Sequence, residues 1–180
     1  SSSSDSVEVP ALAAGRSLVR LGSSGSQWVQ TASQTPGATN PTSGVTTTPG
    51  VEALRINEVM ADNDTTVEDP DEAGAFEDWI EVFNPGSTVV DLGGLYLTDD
   101  LATPTKWQVP AGVTVPAGGF VVFWAADEPS QGSRHAACKL SASGEAVGLY
   151  QSDGITLLDS PTFGAQTPAV AIGRSPDGGA

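Results

Sequence analysis

The chain has 180 residues, with 22 acidic side chains against 7 basic ones, one cysteine and one histidine. A formal net charge of −15 excludes the usual nucleic-acid binder, because phosphate backbones are held by clusters of lysine and arginine, and it opposes docking on anionic membranes. One cysteine permits no disulfide within the chain, and Cys138 and His135 alone cannot assemble a zinc site.

No window reaches the roughly 18 apolar residues of a membrane helix, so no membrane insertion is expected. No basic, apolar and small-residue pattern of a signal peptide opens the chain either, so an export signal is expected outside this segment. The 21 glycines and 13 prolines, with many Val, Thr and Leu residues, indicate a turn-rich chain of short strands.

The first 50 residues differ from the rest in composition. They are rich in Ser, Thr, Gly and Pro and poor in apolar side chains, so they cannot bury enough surface to fold alone. Residues 41–53 are predicted to be a linker, because their prolines and threonines favour extended backbone.

From Leu54 onward, short apolar or alternating runs are separated by turn residues every eight to twelve positions, which is typical of a β-sandwich or barrel. The pattern predicts about nine strands and no helix. The predicted strands are residues 54–60, 79–83, 88–92, 95–98, 106–109, 119–124, 146–150, 155–159 and 169–173. The run 120–126 is apolar throughout, which predicts a central strand covered on both faces.

Seven motifs along these strands resemble, in order, those of one family. They are INEVMADN (56–63), DWIEVFNPG (78–86), DLGGLYLTDD (91–100), WQVP (107–110), VPAGGF (115–120), LSASGEAVGLY (140–150) and IGRSPDG (172–178). The family is the lamin tail domain, found at the end of nuclear lamins and, in bacteria, within larger extracellular proteins. The resemblance implies an all-β, immunoglobulin-like β-sandwich over residues 54–180.

The chain departs from the bacterial pattern at its end. Such domains typically continue into a last strand with a tryptophan and a Thr-Pro-Gly-x-x-Asn turn, whereas this chain stops at Ala180. Similar pieces stand at the other end: Gly15-Arg16, Trp28 and the turn from Thr35 to Asn40. Residues 1–40 therefore resemble the end of a preceding copy in a tandem array.

A sandwich without its last strand exposes an unpaired edge, and such edges recruit strands. Residues 16–30 are predicted to fill the vacant place, either in the same molecule or as a swapped strand in a dimer. The alternative is that residues 1–50 are only a tail.

Ten carboxylates and no basic residue lie between Glu58 and Glu81. Asp62, Asn63, Asp64, Glu68 and Asp69 have the oxygen chemistry that Ca²⁺ prefers, although the spacing is not that of an EF-hand. The alternative is a solvated acidic loop without a cation. Asp99-Asp100 is expected either to join this site or to cap its own turn.

Other residues have simpler interpretations. His135 lies in a polar run and is predicted to be a surface histidine, Cys138 an inert buried thiol, and Trp79, Trp107 and Trp124 core residues. Glu58 and Glu81 lie on adjacent predicted strands, but no nucleophile or metal motif accompanies them, so no acid–base pair is predicted.

The resemblance implies a non-catalytic structural or protein-interaction module of a secreted or cell-surface bacterial protein, with a protein or extracellular polymer as partner. The alternative is a Ca²⁺-assisted carbohydrate-binding or polymer-binding module. No enzyme is predicted, and no filament role is expected, because no heptad repeat is present.

Overall fold

A computed structural model describes residues 17–20, 28–31 and 50–179. In the first of its two units, β1 (Ser17–Arg20) and β2 (Trp28–Thr31) form an antiparallel ladder, with Ser17 opposite Thr31 and Arg20 opposite Trp28. Among the described strands, β1 and β2 pair only with each other. Completion of a sandwich by residues 16–30 stays a prediction.

The second unit, described over residues 50–179, contains twelve strands and one short 3-10 turn (Val51–Ala53). The strands are β3 (Arg55–Met60), β4 (Trp79–Phe83), β5 (Val90–Asp91), β6 (Tyr96–Thr98), β7 (Trp107–Gln108), β8 (Thr114–Val115), β9 (Phe120–Trp124), β10 (Glu145–Ala146), β11 (Gly148–Tyr150), β12 (Leu157–Asp159), β13 (Thr162–Phe163) and β14 (Ile172–Gly173).

All nine predicted strands are present, β4 over its full predicted range and most of the others in shorter form, and β8 and β13 are additional. The run predicted as one strand over 146–150 is two strands, since Val147 interrupts the ladder. Val51, in the segment predicted to be a linker, is fully buried with the core.

The strands form two four-stranded sheets, in the orders β14-β3-β4-β9 and β12-β11-β6-β7, and two small ladders, β5-β8 and β10-β13. Alternation along β4 directs Ile80 and Val82 into the main core, where Leu97 and Leu149 of the other sheet are also buried. Trp107 on β7 meets Phe123 on β9 edge to face, with ring centroids 5.6 Å apart. The predicted all-β, immunoglobulin-like sandwich is confirmed.

The prediction that residues 120–126 form a central strand is wrong. Among the described strands β9 pairs only with β4, so it is an edge strand, and Phe120 is 41% exposed. A run of apolar residues indicates that the side chains are buried, but it does not indicate how many strands pair with that run. At the end of β9, two isolated β-bridges add backbone pairing: Trp124 pairs with His135, and Ala126 pairs with Lys139.

The predicted core tryptophans are confirmed, but they are divided between two clusters. Trp107 belongs to the main core. Trp79 and Trp124 lie opposite each other on β4 and β9 and pack with Met60 in a separate buried cluster. Strand alternation separates them, because Trp79 and its neighbour Ile80 point to opposite faces of the sheet.

A β-bulge at Asn57 shapes the strand that precedes the acidic segment. The register pairs Ile56 with Val82 and Glu58 with Glu81, so Asn57 is the extra residue on β3. The bulge lets Ile56 and Val59 both enter the core despite an odd spacing. The Asn57 side chain accepts a hydrogen bond from the Gly178 amide at 2.9 Å, which ties the end of the chain to β3.

Candidate functional site

Asn63 closes the acidic loop, defined here as residues 61–78 between β3 and β4. Its side-chain amide donates to the carbonyls of Val67 (2.7 Å) and Glu77 (2.8 Å), and its side-chain oxygen accepts from the amides of Thr66 and Val67. The Asn63 backbone N–H donates to Asp78 Oδ1 at 3.1 Å. These bonds occupy the oxygen that the predicted Ca²⁺ site would draw on.

The other predicted Ca²⁺ ligands are dispersed. Asp64 and Glu68 are exposed, and Asp62 is half-buried. Glu68 Oε1 accepts a hydrogen bond from the Gly74 amide at 2.6 Å, which closes a turn within the loop. The structure therefore does not gather Asp62, Asn63, Asp64, Glu68 and Asp69 around one point, although cation binding by this set stays a prediction.

Asp69 differs from the other carboxylates of the loop because its side chain is completely buried. Its Oδ1 accepts the Asp71 amide at 2.9 Å, and its backbone N–H donates to the Ala75 carbonyl. These bonds make a tight turn over residues 69–75 and hold the carboxylate rigidly. Its Oδ2 faces the ring of His135.

The prediction that His135 lies at the surface is wrong, because its side chain is fully buried. Residues 134–136 run beside the end of β9: the Trp124 amide donates to the Arg134 carbonyl and the Ala136 amide donates to the Trp124 carbonyl, both at 2.8 Å. This pairing carries His135 beneath the acidic loop. Its polar sequence neighbours gave no sign of the contact.

Two aspartates flank the His135 ring. Nδ1 lies 3.5 Å from Asp69 Oδ2, and Nε2 lies 3.1 Å from Asp71 Oδ2. We compared the His, Cys, Asp and Glu side chains of the described residues as possible metal ligands. Among them, one group of three has ligand atoms that all lie within 4.8 Å of one another: Asp69, Asp71 and His135. Of the predicted ligands only Asp69 belongs to it. Sequence reasoning missed Asp71 and His135 as its companions.

Asp99 and Asp100 take no part in this group. Asp99 forms an ion pair with Lys106 and accepts the Lys139 amide at 2.9 Å. Asp100 caps its turn by accepting from the Ala102 amide and the Thr103 hydroxyl, and these bonds lower the pKa of Asp100. The expectation that Asp99-Asp100 would cap a turn is confirmed for Asp100.

The prediction that Cys138 is buried is confirmed. Cys138 is inaccessible to solvent and unpaired with another cysteine, and burial raises the pKa of its thiol to about 12. A thiol with that pKa carries almost no thiolate at neutral pH, and the thiolate is the reactive form.

A groove of about 240 Å³ lies at the outer edge of the β14-β3-β4-β9 sheet. Its apolar wall comes from Ile56, Val59, Phe163 and Ile172, and Arg174 adds a charged group. Ile172 on β14 is 47% exposed, and among the described strands β14 pairs only with β3. The sheet therefore ends here in an open, partly apolar edge.

The sequence model of the Lamin Tail Domain matches residues 47–165, about two thirds of the chain. The chain belongs to the lamin tail domain family. The match covers β3 to β13, which include every strand of the two four-stranded sheets except β14, so the resemblance to this family is confirmed. The seventh motif, at residues 172–178, lies beyond the match. No curated protein matches the chain significantly. Within the described parts of this lamin tail domain, no helix is both long and apolar enough to cross a membrane.

Proposed function

We propose that this lamin tail domain is a non-catalytic protein-interaction module that accepts an extended strand at β14. The open edge of β14, with exposed Ile172 beside an apolar groove, is the observation that carries the proposal. An edge strand offers unpaired backbone groups to an added strand, and a neighbouring groove accepts its side chains. The domain is one of tandem copies in a secreted or cell-surface bacterial protein.

The occupant is the segment 16–30 of the same chain or of a neighbouring copy. This segment resembles the strand that follows the Gly-Arg-x-Pro-Asp-Gly motif in bacterial members of the family, and β14 and Arg174 belong to that motif here. Apolar residues such as Trp28 and Val29 match the apolar wall in chemical character. Among the described strands β1 and β2 pair only with each other, and the outer edge of either strand is where β14 would add.

The test is Ile172→Lys in the full chain, because lysine on an edge strand opposes strand addition. Leu157→Lys is the matched control: it is 49% exposed and lies on β12, the edge of the other four-stranded sheet. Hydrogen exchange of residues 16–31 and sedimentation over a range of concentrations are measured for all three proteins.

We expect Ile172→Lys to increase exchange in residues 16–31 and Leu157→Lys to leave it unchanged. A concentration-dependent dimer in the wild type that is lost in Ile172→Lys identifies a swapped strand, whereas a monomer throughout identifies pairing within one molecule. Equal exchange and equal mass in all three proteins would refute the proposal.

The Ca²⁺-assisted carbohydrate-binding alternative stays a prediction. A glycan array run with and without a chelator tests it, and chelator-sensitive binding would favour it over the strand-accepting module.

A further inference from the structure

Two buried polar atoms near the acidic loop have no hydrogen-bond partner among the described residues: Asp69 Oδ2 and His135 Nδ1. They face each other at 3.5 Å, which is longer than a normal hydrogen bond. Buried polar atoms are almost always paired, and a buried carboxylate oxygen requires a cation or a donor. The pair therefore needs a partner that the side chains alone do not supply.

Gly132 lies against the ring. A side-chain carbon at Gly132 would lie 3.1 Å from His135 Cδ2, 3.6 Å from Nε2 and 3.9 Å from Asp71 Oδ2. Glycine thus permits this close approach of the backbone to the ring and keeps a side chain away from Nε2 and the second carboxylate. The Asp71 side chain is 49% exposed, so this side of the group is accessible from solvent.

We propose that Asp69, Asp71 and His135 bind a transition-metal ion of the zinc class. Each aspartate gives one carboxylate oxygen and His135 one ring nitrogen, and water completes the coordination. Neighbouring ligand atoms around such an ion, with bonds of about 2.0–2.2 Å, lie roughly 3–3.5 Å apart. Asp71 Oδ2 lies 3.1 Å from Nε2, whereas Asp69 Oδ2 lies 3.5 Å from the other ring nitrogen, Nδ1. One ligand atom from each of the three residues lies within 4.8 Å of the others, so a small shift of the side chains brings them around one ion.

The imidazole determines the class of ion. Ca²⁺ and Mg²⁺ take oxygen ligands, whereas imidazole nitrogen favours zinc and its transition-metal neighbours. The site therefore differs in both ligands and ion from the oxygen-only Ca²⁺ set predicted from sequence. It joins the acidic loop to residues 132–135, beside the end of β9, and does not depend on the strand-accepting edge.

The chain contains a single histidine, so nuclear magnetic resonance of the imidazole reports on this site alone. Full-length protein without a histidine tag is stripped with chelator and titrated separately with Zn²⁺, Mg²⁺ and Ca²⁺. The ring ¹⁵N and ¹H signals, the melting temperature and calorimetric binding are recorded.

We expect Zn²⁺ to shift the ring nitrogen signals and raise the melting temperature, with much smaller effects from Mg²⁺ and Ca²⁺. Asp71→Asn and Asp69→Asn each remove one ligand and keep the size of the side chain. Loss of an outer-shell partner weakens metal binding by about 10–100-fold, and loss of a ligand is expected to cost at least that much.

Asp64→Asn is the matched control, because Asp64 is an exposed carboxylate of the same loop outside the group. It removes the same charge and should bind Zn²⁺ as the wild type does. Three outcomes would each overturn the site: ring signals that Zn²⁺ leaves unchanged, an equal effect of Ca²⁺ and Zn²⁺, or Asp71→Asn binding as tightly as Asp64→Asn.

Discussion

Glu58 on β3 lies directly opposite Glu81 on β4 in the antiparallel register, so two carboxylates adjoin on the sheet. Burial raises the pKa of Glu58, and the charges of Glu81 and Asp177 raise it further. Asn57 offsets part of the repulsion, since its side-chain amide donates to Glu81 Oε1 at 3.0 Å and to Asp177 Oδ1 at 3.3 Å. The repulsion between Glu58 and Glu81 lowers the stability of the folded protein at neutral pH, and the pair lies beside the open edge at β14.

Replacement of Glu58 by Gln should stabilise the protein at neutral pH. The folded-state pKa of Glu58 lies above its ordinary value of 4.5, so the folded protein holds this proton more tightly than the unfolded chain does. Stability from this group is therefore full below pH 4.5 and is lost as pH rises through the raised pKa.

Urea unfolding of both proteins between pH 4 and 8 measures the effect. We expect Glu58→Gln to gain no more than about 1 kcal/mol at pH 7, because solvent screens the pair, and to gain less toward pH 4.5. Glu52→Gln, at an exposed carboxylate, is the control. A gain independent of pH would contradict the assignment to Glu58.

Arg174 should be a main tether of the C-terminal edge. Its Nη2 donates to both oxygens of Asp159, at 3.0 and 3.1 Å, its Nε donates to the Ile56 carbonyl at 2.9 Å, and its Nη1 donates to the Gly179 carbonyl. Asp159 Oδ2 also accepts the Ile56 amide, so the group joins β12 to β3.

We expect Arg174→Ala to lower the free energy of unfolding by about 1.5–3 kcal/mol, the usual range for hydrogen bonds to charged groups. Arg174→Lys should recover only part of this loss, because lysine lacks the planar fork of donors. Exposed Arg134→Ala is the control for the charge change. Denaturant unfolding checks all three, and equal stability of Arg174→Ala and Arg134→Ala would contradict the tether.

Alanine substitutions at Gly144 and Gly74 distinguish two causes of lost stability, a steric clash and a left-handed backbone conformation. Both have positive φ, +100° and +84°. A side-chain carbon at Gly144 would lie 2.6 Å from the Phe163 carbonyl oxygen, whereas one at Gly74 would meet nothing within 4 Å. Gly74→Ala should therefore cost only the left-handed conformation, about 1–2 kcal/mol.

Gly144→Ala should cost clearly more, because the clash is with backbone of β13, the partner of β10. Thermal unfolding of the two variants compares them directly. Equal melting temperatures would show that the segment around Phe163 moves freely to admit a methyl group.

Cys138 should resist thiol reagents in the native state. Burial excludes the reagent and raises the pKa of the thiol to about 12, so little thiolate is present at pH 8. We expect reaction with a disulfide reagent only after unfolding in urea, when one thiol per chain should appear. Rapid native reaction at full stoichiometry would contradict a closed core around β6 and β11.

Local pattern was sufficient for much of the fold. Period-two alternation and turn residues located all nine predicted strands, because one face of each strand must be apolar and each reversal needs Gly, Pro or Asn. Bulk and polarity also predicted that Trp79, Trp107, Trp124 and Cys138 would be buried. These properties depend on neighbours along the chain, so the sequence by itself determined them.

Contacts between segments far apart in the sequence could not be predicted from local pattern. The edge position of β9, the bulge at Asn57 and the contact of His135 with Asp69 and Asp71 depend on which strands become neighbours. His135 lies 64 residues from Asp71, in a run whose polarity indicates exposure. Only the folded sandwich brings that run under the acidic loop, because backbone pairing with Trp124 fixes its path. The histidine then lies beside the two aspartates, and the three side chains form one group of potential ligands.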